Sequence, residues 1–318
     1  MKKPMIIGLG IAIVVIISIV TVIGENGPKQ DVSPQEEKPA KLRVIASFYP
    51  LYEFSKNVAG DRAEVSTFIP FGVEPHDWEP TTSDILDLKG SDILVYNGVG
   101  MEPFVDKLID SGEYRNVKFV ETTRGINLIK TDDVHQKESD DHTVYNPHVW
   151  LDPVLAKHQV MMIKDAMIDA DPDNKKYYED NANAYSGKLD ELDSKIQTEL
   201  SDCKKDTFMP FHDAYSYFAN RYGLKTFPLS GISPESEVTA ADLKEFVDFI
   251  QKNKIKKIYS EEMVDPKLAT ALAEEADAQV LIFSPLEGLT DKEMIDGVTY
   301  LDKMNENVQN LKIGLECQ

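Results

Sequence analysis

The chain opens on an uncharged run from Met5 to Ile23, preceded by Lys2 and Lys3 and followed at once by Gly24, Glu25 and Asn26. That run approaches the ~20 residues that cross a bilayer as a helix and exceeds the ~7–15 of an ordinary signal-peptide core. Lysines ahead of the run and none within it put the start in the cytoplasm and the rest outside. No small-x-small cleavage site stands out and no Cys follows the run to accept lipid. The pattern therefore favours an uncleaved signal anchor over a cleaved signal peptide, and either device exports the body. Residues 24–41 carry Pro, Gly and charge without apolar periodicity, the composition of a flexible tether.

From Leu42 the pattern changes. Buried-strand runs at Val44–Ser47, Val65–Ile69, Ile93–Tyr96 and Lys118–Val120 alternate with helix-like stretches. A second set follows at Thr207–Met209, Lys225–Pro228, Lys256–Ser260 and Gln279–Phe283. Such alternation predicts an α/β protein of two lobes, each a mainly parallel sheet flanked by helices. Between the sets, Pro153–Ser201 shows no strand signal. There, apolar and aromatic positions at helical spacing (Tyr177, Tyr178, Ala184, Tyr185, Leu189, Leu192, Ile196) predict one long bridging helix over Pro172–Leu200, with Asp171 as its N-cap and Pro172 at the first helical position. The expected organisation is a membrane segment over 1–23, a tether over 24–41, a first lobe over 42–170, a connecting helix over 171–202 and a second lobe over 203–318. The stretch 131–143 concentrates acids with His135 and His142 and has almost nothing to bury, so an exposed loop is expected.

At 318 residues the chain suits two domains of ordinary size. Its 55 acidic side chains against 34 basic ones leave a net charge of -21, which repels nucleic acid and anionic lipid and is otherwise a solubilising surface. Cys203 and Cys317 are the two cysteines. An oxidising exterior permits a disulfide between them, worth a few (~2–5) kcal/mol, although two free thiols fit the sequence as well.

Candidate chemistry lies in the histidines. His76 sits in PHDWEP and His148 in NPHVWLDP, both Pro-framed loops of the first lobe, while His212 follows the first strand of the second lobe in MPFHDAYSYF. Strand C-terminal ends and the loops after them are where open α/β sheets bind ligands. A single His beside aromatics is usually a packing residue, but three in equivalent settings split between two lobes point to a metal. Neutral imidazole is the commonest protein ligand of zinc, and three with a carboxylate fill a tetrahedron. Glu287, in FSPLEGLT after the last strand, is a candidate carboxylate, with a capping or surface role equally open.

The motifs ASFYPLYEFSKNVAGDRAEV, PHDWEPT, NPHVWLDP, FHDAYSYFANRYGL and SPLEGLT occur in order from about residue 42 to the end. In them the chain resembles the metal-binding solute-binding proteins of ABC transporters, in the zinc-uptake branch. The resemblance implies two α/β lobes bridged by one long helix, with the metal buried between them on His76, His148, His212 and Glu287. Manganese-preferring members carry a carboxylate where His212 stands, and imidazole there favours zinc over manganese. Implied partners are permease subunits with a cytoplasmic ATPase, met by a monomer held at the membrane by its N-terminal segment. That anchor would stand in for the lipid that many relatives carry. The 131–143 loop resembles a shortened form of the family's His-rich loop, either a weak metal collector through His135 and His142 or a solvated spacer. His158 lies in a helical stretch without a family motif and reads as structural, and Glu237, in GISPESEVTAADL, is assigned a supporting role.

Two rival classes remain to be weighed. A zinc hydrolase needs an open coordination position and a general base, yet no H-E-x-x-H helix occurs and the expected four ligands close the sphere. A binder of haem or a siderophore would line its site with aromatics and Arg and would not need three imidazoles. The reading is capture of Zn2+, with Mn2+ or another divalent metal as the alternative cargo, and no catalysis.

Overall fold

The computed structural model describes residues 41–131 and 144–318. The membrane segment, the tether through residue 40, and the acidic loop with His135 and His142 lie outside the described residues. No helix among the described residues is long and apolar enough to cross a membrane.

The first lobe is built from β1 (Leu42–Ala46), α1 (Tyr49–Ala59), β2 (Ala63–Thr67), α2 (Thr82–Lys89), β3 (Ile93–Tyr96), α3 (Pro103–Ser111) and β4 (Lys118–Glu121). All pairings are parallel in the order β2-β1-β3-β4, with Val44 opposite both Val65 and Ile93. Every residue of β3 is buried, which is why it reads as a continuous apolar run rather than an alternating one. Its chain order reverses between β1 and β3, so the loops at the C-terminal ends of these strands open a crevice.

Two helices follow the first sheet, α4 (Pro153–Ala170) and the long α5 (Lys175–Glu199) that leads to the second lobe. α4 starts where Asp152 accepts hydrogen bonds from Val154 N (2.9 Å) and Leu155 N (3.4 Å) with Pro153 just inside. α5 buries Tyr178, Ala182, Tyr185, Leu189, Leu192 and Ile196, a stripe at three- and four-residue spacing. The long helix begins later than its sequence signal suggests. Pro172–Asn174 forms a 3-10 turn, and the Asp171 carboxylate accepts from the Tyr178 hydroxyl and the Asn174 amide (2.7 Å each) instead of capping.

The second lobe comprises β5 (Thr207–Phe208), α6 (Ser216–Tyr222), β6 (Lys225–Thr226), α7 (Ala240–Asn253), β7 (Lys257–Ser260), α8 (Pro266–Ala276), β8 (Gln279–Ile282), α9 (Asp291–Asp296) and α10 (Tyr300–Leu315). β5 pairs with β6 and β7 with β8, both in parallel, and Tyr259 N donates to Met209 O (3.0 Å) to set β7 beside the end of β5. The second lobe thus holds two separate two-stranded parallel sheets side by side, where the first lobe has one continuous sheet. Cys203 and Cys317 form a disulfide that ties the end of α10 to the segment after α5.

The core is not divided between the lobes. One apolar cluster runs from β1 through α4 and α5 into Phe208, Phe283, Met304 and Leu311, and a smaller one gathers Met209, Phe246, Ile250, Ile258 and Leu272. Trp150 joins the lobes: fully buried, it packs edge-on to Phe48 at 4.8 Å, and its indole N–H donates to Pro285 O across the interface (2.8 Å).

Candidate metal centre

Each candidate side chain leaves the sheets at the C-terminal edge. His76 stands on the loop between β2 and α2. Trp78 pins that loop by packing against Phe68 and Phe104, and the Thr81–Asp84 capping box closes it. His148 follows Pro147 and opens a short 3-10 turn that carries Trp150. His212 lies between β5 and α6. Glu287 lies between β8 and α9 on a loop clamped by Asn307, which accepts from Ser284 N and donates to Ser284 O (2.7 Å each). Just before Glu287, the buried Leu286 holds φ at 57°, a left-handed conformation that costs a non-glycine residue energy and marks a segment held by its surroundings. Gly72 and Gly288 let the two ligand loops meet at the main chain, and a Cβ on Gly288 would sit 3.0 Å from Met263 Sδ and 3.6 Å from Gly72 N.

The structure brings His76, His148, His212 and Glu287 together, one nitrogen or oxygen from each lying within 4.8 Å of all the others. Glu287 Oε1 is 3.0 Å from His148 Nε2, 3.4 Å from His76 Nε2 and 3.5 Å from His212 Nε2, and the Nε2 atoms of His148 and His212 are 3.3 Å apart. Bonds of about 2.0–2.1 Å to a tetrahedral zinc ion would space its donors by roughly 3.3–3.4 Å. The observed separations straddle that figure. The His148 and His212 side chains are fully buried, Glu287 is 2% exposed and His76 9%.

The outer face of each buried imidazole is fixed. His148 Nδ1 lies 2.9 Å from Asn146 Oδ1, which also accepts from His148 N, while the Asn146 amide donates to Asp213 O in the second lobe (2.6 Å). His212 Nδ1 lies 2.6 Å from Glu261 Oε1. Both rings thus donate through Nδ1 and turn Nε2 inward.

Electrostatics separate the two. Burial pushes His148 down to about 3 against the pull of Glu287. Burial also opposes charge on His212, but the Glu261 and Glu287 carboxylates outweigh it and hold its pKa well above the usual value. Burial would raise Glu287, yet the His212 charge and hydrogen bonds from the imidazoles hold it well below the usual carboxylate range. Glu74, whose carboxylate accepts from His76 N (3.0 Å), is pushed up to about 9 by burial and then by the Glu287 charge.

Not every sequence candidate joins the cluster. His158 is half-buried on α4 and hydrogen-bonds Arg124 O (3.0 Å), a structural contact. Glu237 is exposed, and the carboxylate that reaches a cluster imidazole ring from outside the four is Glu261. Glu261 was marked only by its place right after the strand ending at Ser260. Asn146 was visible inside NPHVWLDP but carried no signal of its own.

A family-wide sequence profile described as zinc-uptake complex component A, periplasmic, matches residues 44–314. The chain belongs to that family. It is 38% identical over 286 residues to the high-affinity zinc uptake system protein ZnuA of Bacillus subtilis (strain 168), covering 88% of this chain and 89% of the relative. It is likewise 38% identical over 285 residues to the zinc-binding lipoprotein AdcA of Streptococcus pneumoniae, but spans only 57% of that protein's length. Among solved structures, the Zn(II)-bound ZnuA-like domain of the Streptococcus pneumoniae AdcA superimposes with a TM-score of 0.75 at 38% identity, covering 87% of this chain and all of that domain.

Proposed function

We propose that this protein captures Zn2+ outside the cytoplasm, holds it between its lobes on His76, His148, His212 and Glu287, and hands it to an ABC importer without catalysing a reaction. The observation that carries this reading is the convergence of four donor atoms, two from each lobe, at the spacing of a tetrahedral ion. Three imidazoles and one carboxylate suit zinc, whereas manganese prefers more and harder oxygen donors. Four protein donors leave no position for an activated water, which separates a carrier from a hydrolase. The names of the family and of its relatives support the same cargo.

The lobes run over 42–170 and 203–318, with 171–202 joining them. A monomer, held at the membrane by its N-terminal segment, presents the loaded form to permease subunits served by a cytoplasmic ATPase. Because one apolar cluster runs through both lobes, loading changes loops and a small tilt rather than swinging the lobes apart. Elemental analysis of protein purified without added metal, followed by zinc–manganese competition, tests the reading. One zinc per chain, not displaced by excess manganese, is the expected result. A chain that retains no zinc, or that prefers manganese, overturns it.

A further inference from the structure

Glu261 is the first residue after β7, so it leaves the second lobe at the same edge as His212 and Glu287. Its side chain is 4% exposed. Oε1 lies 2.6 Å from His212 Nδ1 and 3.4 Å from the His212 backbone N. Among the described residues, no other hydrogen bond or ion pair reaches this carboxylate. A buried charge with one partner is poor for stability, since a well-packed apolar residue of similar size usually serves as well or better. Packing therefore gives no reason for a carboxylate here, and its single contact gives one.

We infer that Glu261 is a positioning residue that acts on the metal through His212. A carboxylate only accepts, so His212 donates from Nδ1 and its Nε2 is kept facing the other three donors. A negative group behind the ring also makes the imidazole a stronger donor, as carboxylate–histidine pairs do at zinc centres generally. At His148 the same place is filled by the neutral amide oxygen of Asn146. The two fully buried imidazoles thus face the ion alike but are backed by different charges. His212 is the tighter grip, and Glu261 slows the release of zinc. Among adjacent acids, Glu262 plays no part in this. It turns away to pair with Lys303.

The inference rests on the zinc-holding reading and is tested apart from it. Full-length protein loaded with one equivalent of zinc is mixed with excess chelator, and the rate of zinc loss is followed. Glu261→Ala, which removes both acceptor and charge, is expected to lose zinc about 10–100-fold faster, the usual size of such outer-shell effects. Glu261→Gln keeps an acceptor oxygen without the charge and should fall between the two. It also covers the case in which Glu261→Ala does not fold. Long-range nitrogen–proton spectra of the loaded protein should show His212 protonated at Nδ1 in the wild type and in Glu261→Gln. A purely structural role would lower the melting temperature of the metal-free Gln variant without speeding release. Release within threefold of wild type from variants that still bind one zinc overturns this inference alone. Failure of the wild type to bind zinc overturns both.

Discussion

Both lobes pair their strands in parallel and supply two candidate donors each, yet they hold those donors by different means. In the first, a continuous four-stranded sheet with a fully buried β3 carries loops pinned by aromatic packing, with the Asn146 amide behind His148 and the Glu74 carboxylate on the His76 main-chain N–H. In the second, β5 and β6 are two residues long, and position is set by buried charge and a strained backbone. Glu261 backs His212. Lys303, 3% exposed, reaches Glu262, Glu293 and Glu306 and so ties the segment after β7 to α9 and α10. Aromatic packing predominates around the first lobe's donor loops and ion pairs around the second's, so the two halves of the candidate centre should differ in what disturbs them.

The comparison can be broken by substitution. Trp150→Ala strips the first lobe's donor segment of its packing and should lower stability by about 3–5 kcal/mol in urea unfolding of the metal-free protein. A loss below about 1 kcal/mol would mean that packing does not hold that segment. His148→Ala and His212→Ala should each weaken zinc by more than about 100-fold in chelator competition, beyond the range of outer-shell changes. If only one of them mattered, the centre would not be shared between the lobes. Lys303→Met leaves the Glu262 and Glu293 carboxylates without their cation. About 2–3 kcal/mol of stability should go, less than the ~3–5 kcal/mol of a fully buried pair because Glu262 and Glu293 keep 18% and 20% of their side chains exposed. No change on thermal or urea unfolding would remove charge as the second lobe's organising force.

Acid sharpens the contrast with the smallest effect. His148, depressed by burial to about 3, stays neutral through mild acid, whereas His212, raised by its carboxylates, keeps a proton at neutral pH that zinc must displace. Affinity should therefore fall as pH falls, by up to about tenfold per unit, with roughly one proton released per zinc. Calorimetry in buffers of different ionisation enthalpy reads that proton directly. Binding with no proton release would place the two imidazoles on the same footing.

Much of this arrangement was legible beforehand because its signals are local. Strand runs were bounded by turn residues, and His76 and His148 were framed by prolines that mark loops. What stayed hidden depends on tertiary contact. Nothing in Ser260-Glu261-Glu262 distinguishes the acid that backs a histidine from the one that meets a lysine, because both follow the same strand and only the fold turns them apart. Asp171 and Pro172 spell a helix start, yet the nearby Tyr178 hydroxyl claims the carboxylate and delays the helix. Glu237, expected in a supporting role, is exposed and has no hydrogen bond or ion pair to the histidines among the described residues.

Of the four candidate donors, His76 keeps the widest edge toward water, 9% of its side chain against 2% for Glu287 and none for the other two, on a loop whose neighbour Gly72 lies against the backbone of the opposite lobe. For an ion held on these four side chains, that edge would be the shortest way to solvent, so a shift of the 70–81 loop would open the centre while the other three donors stay in place.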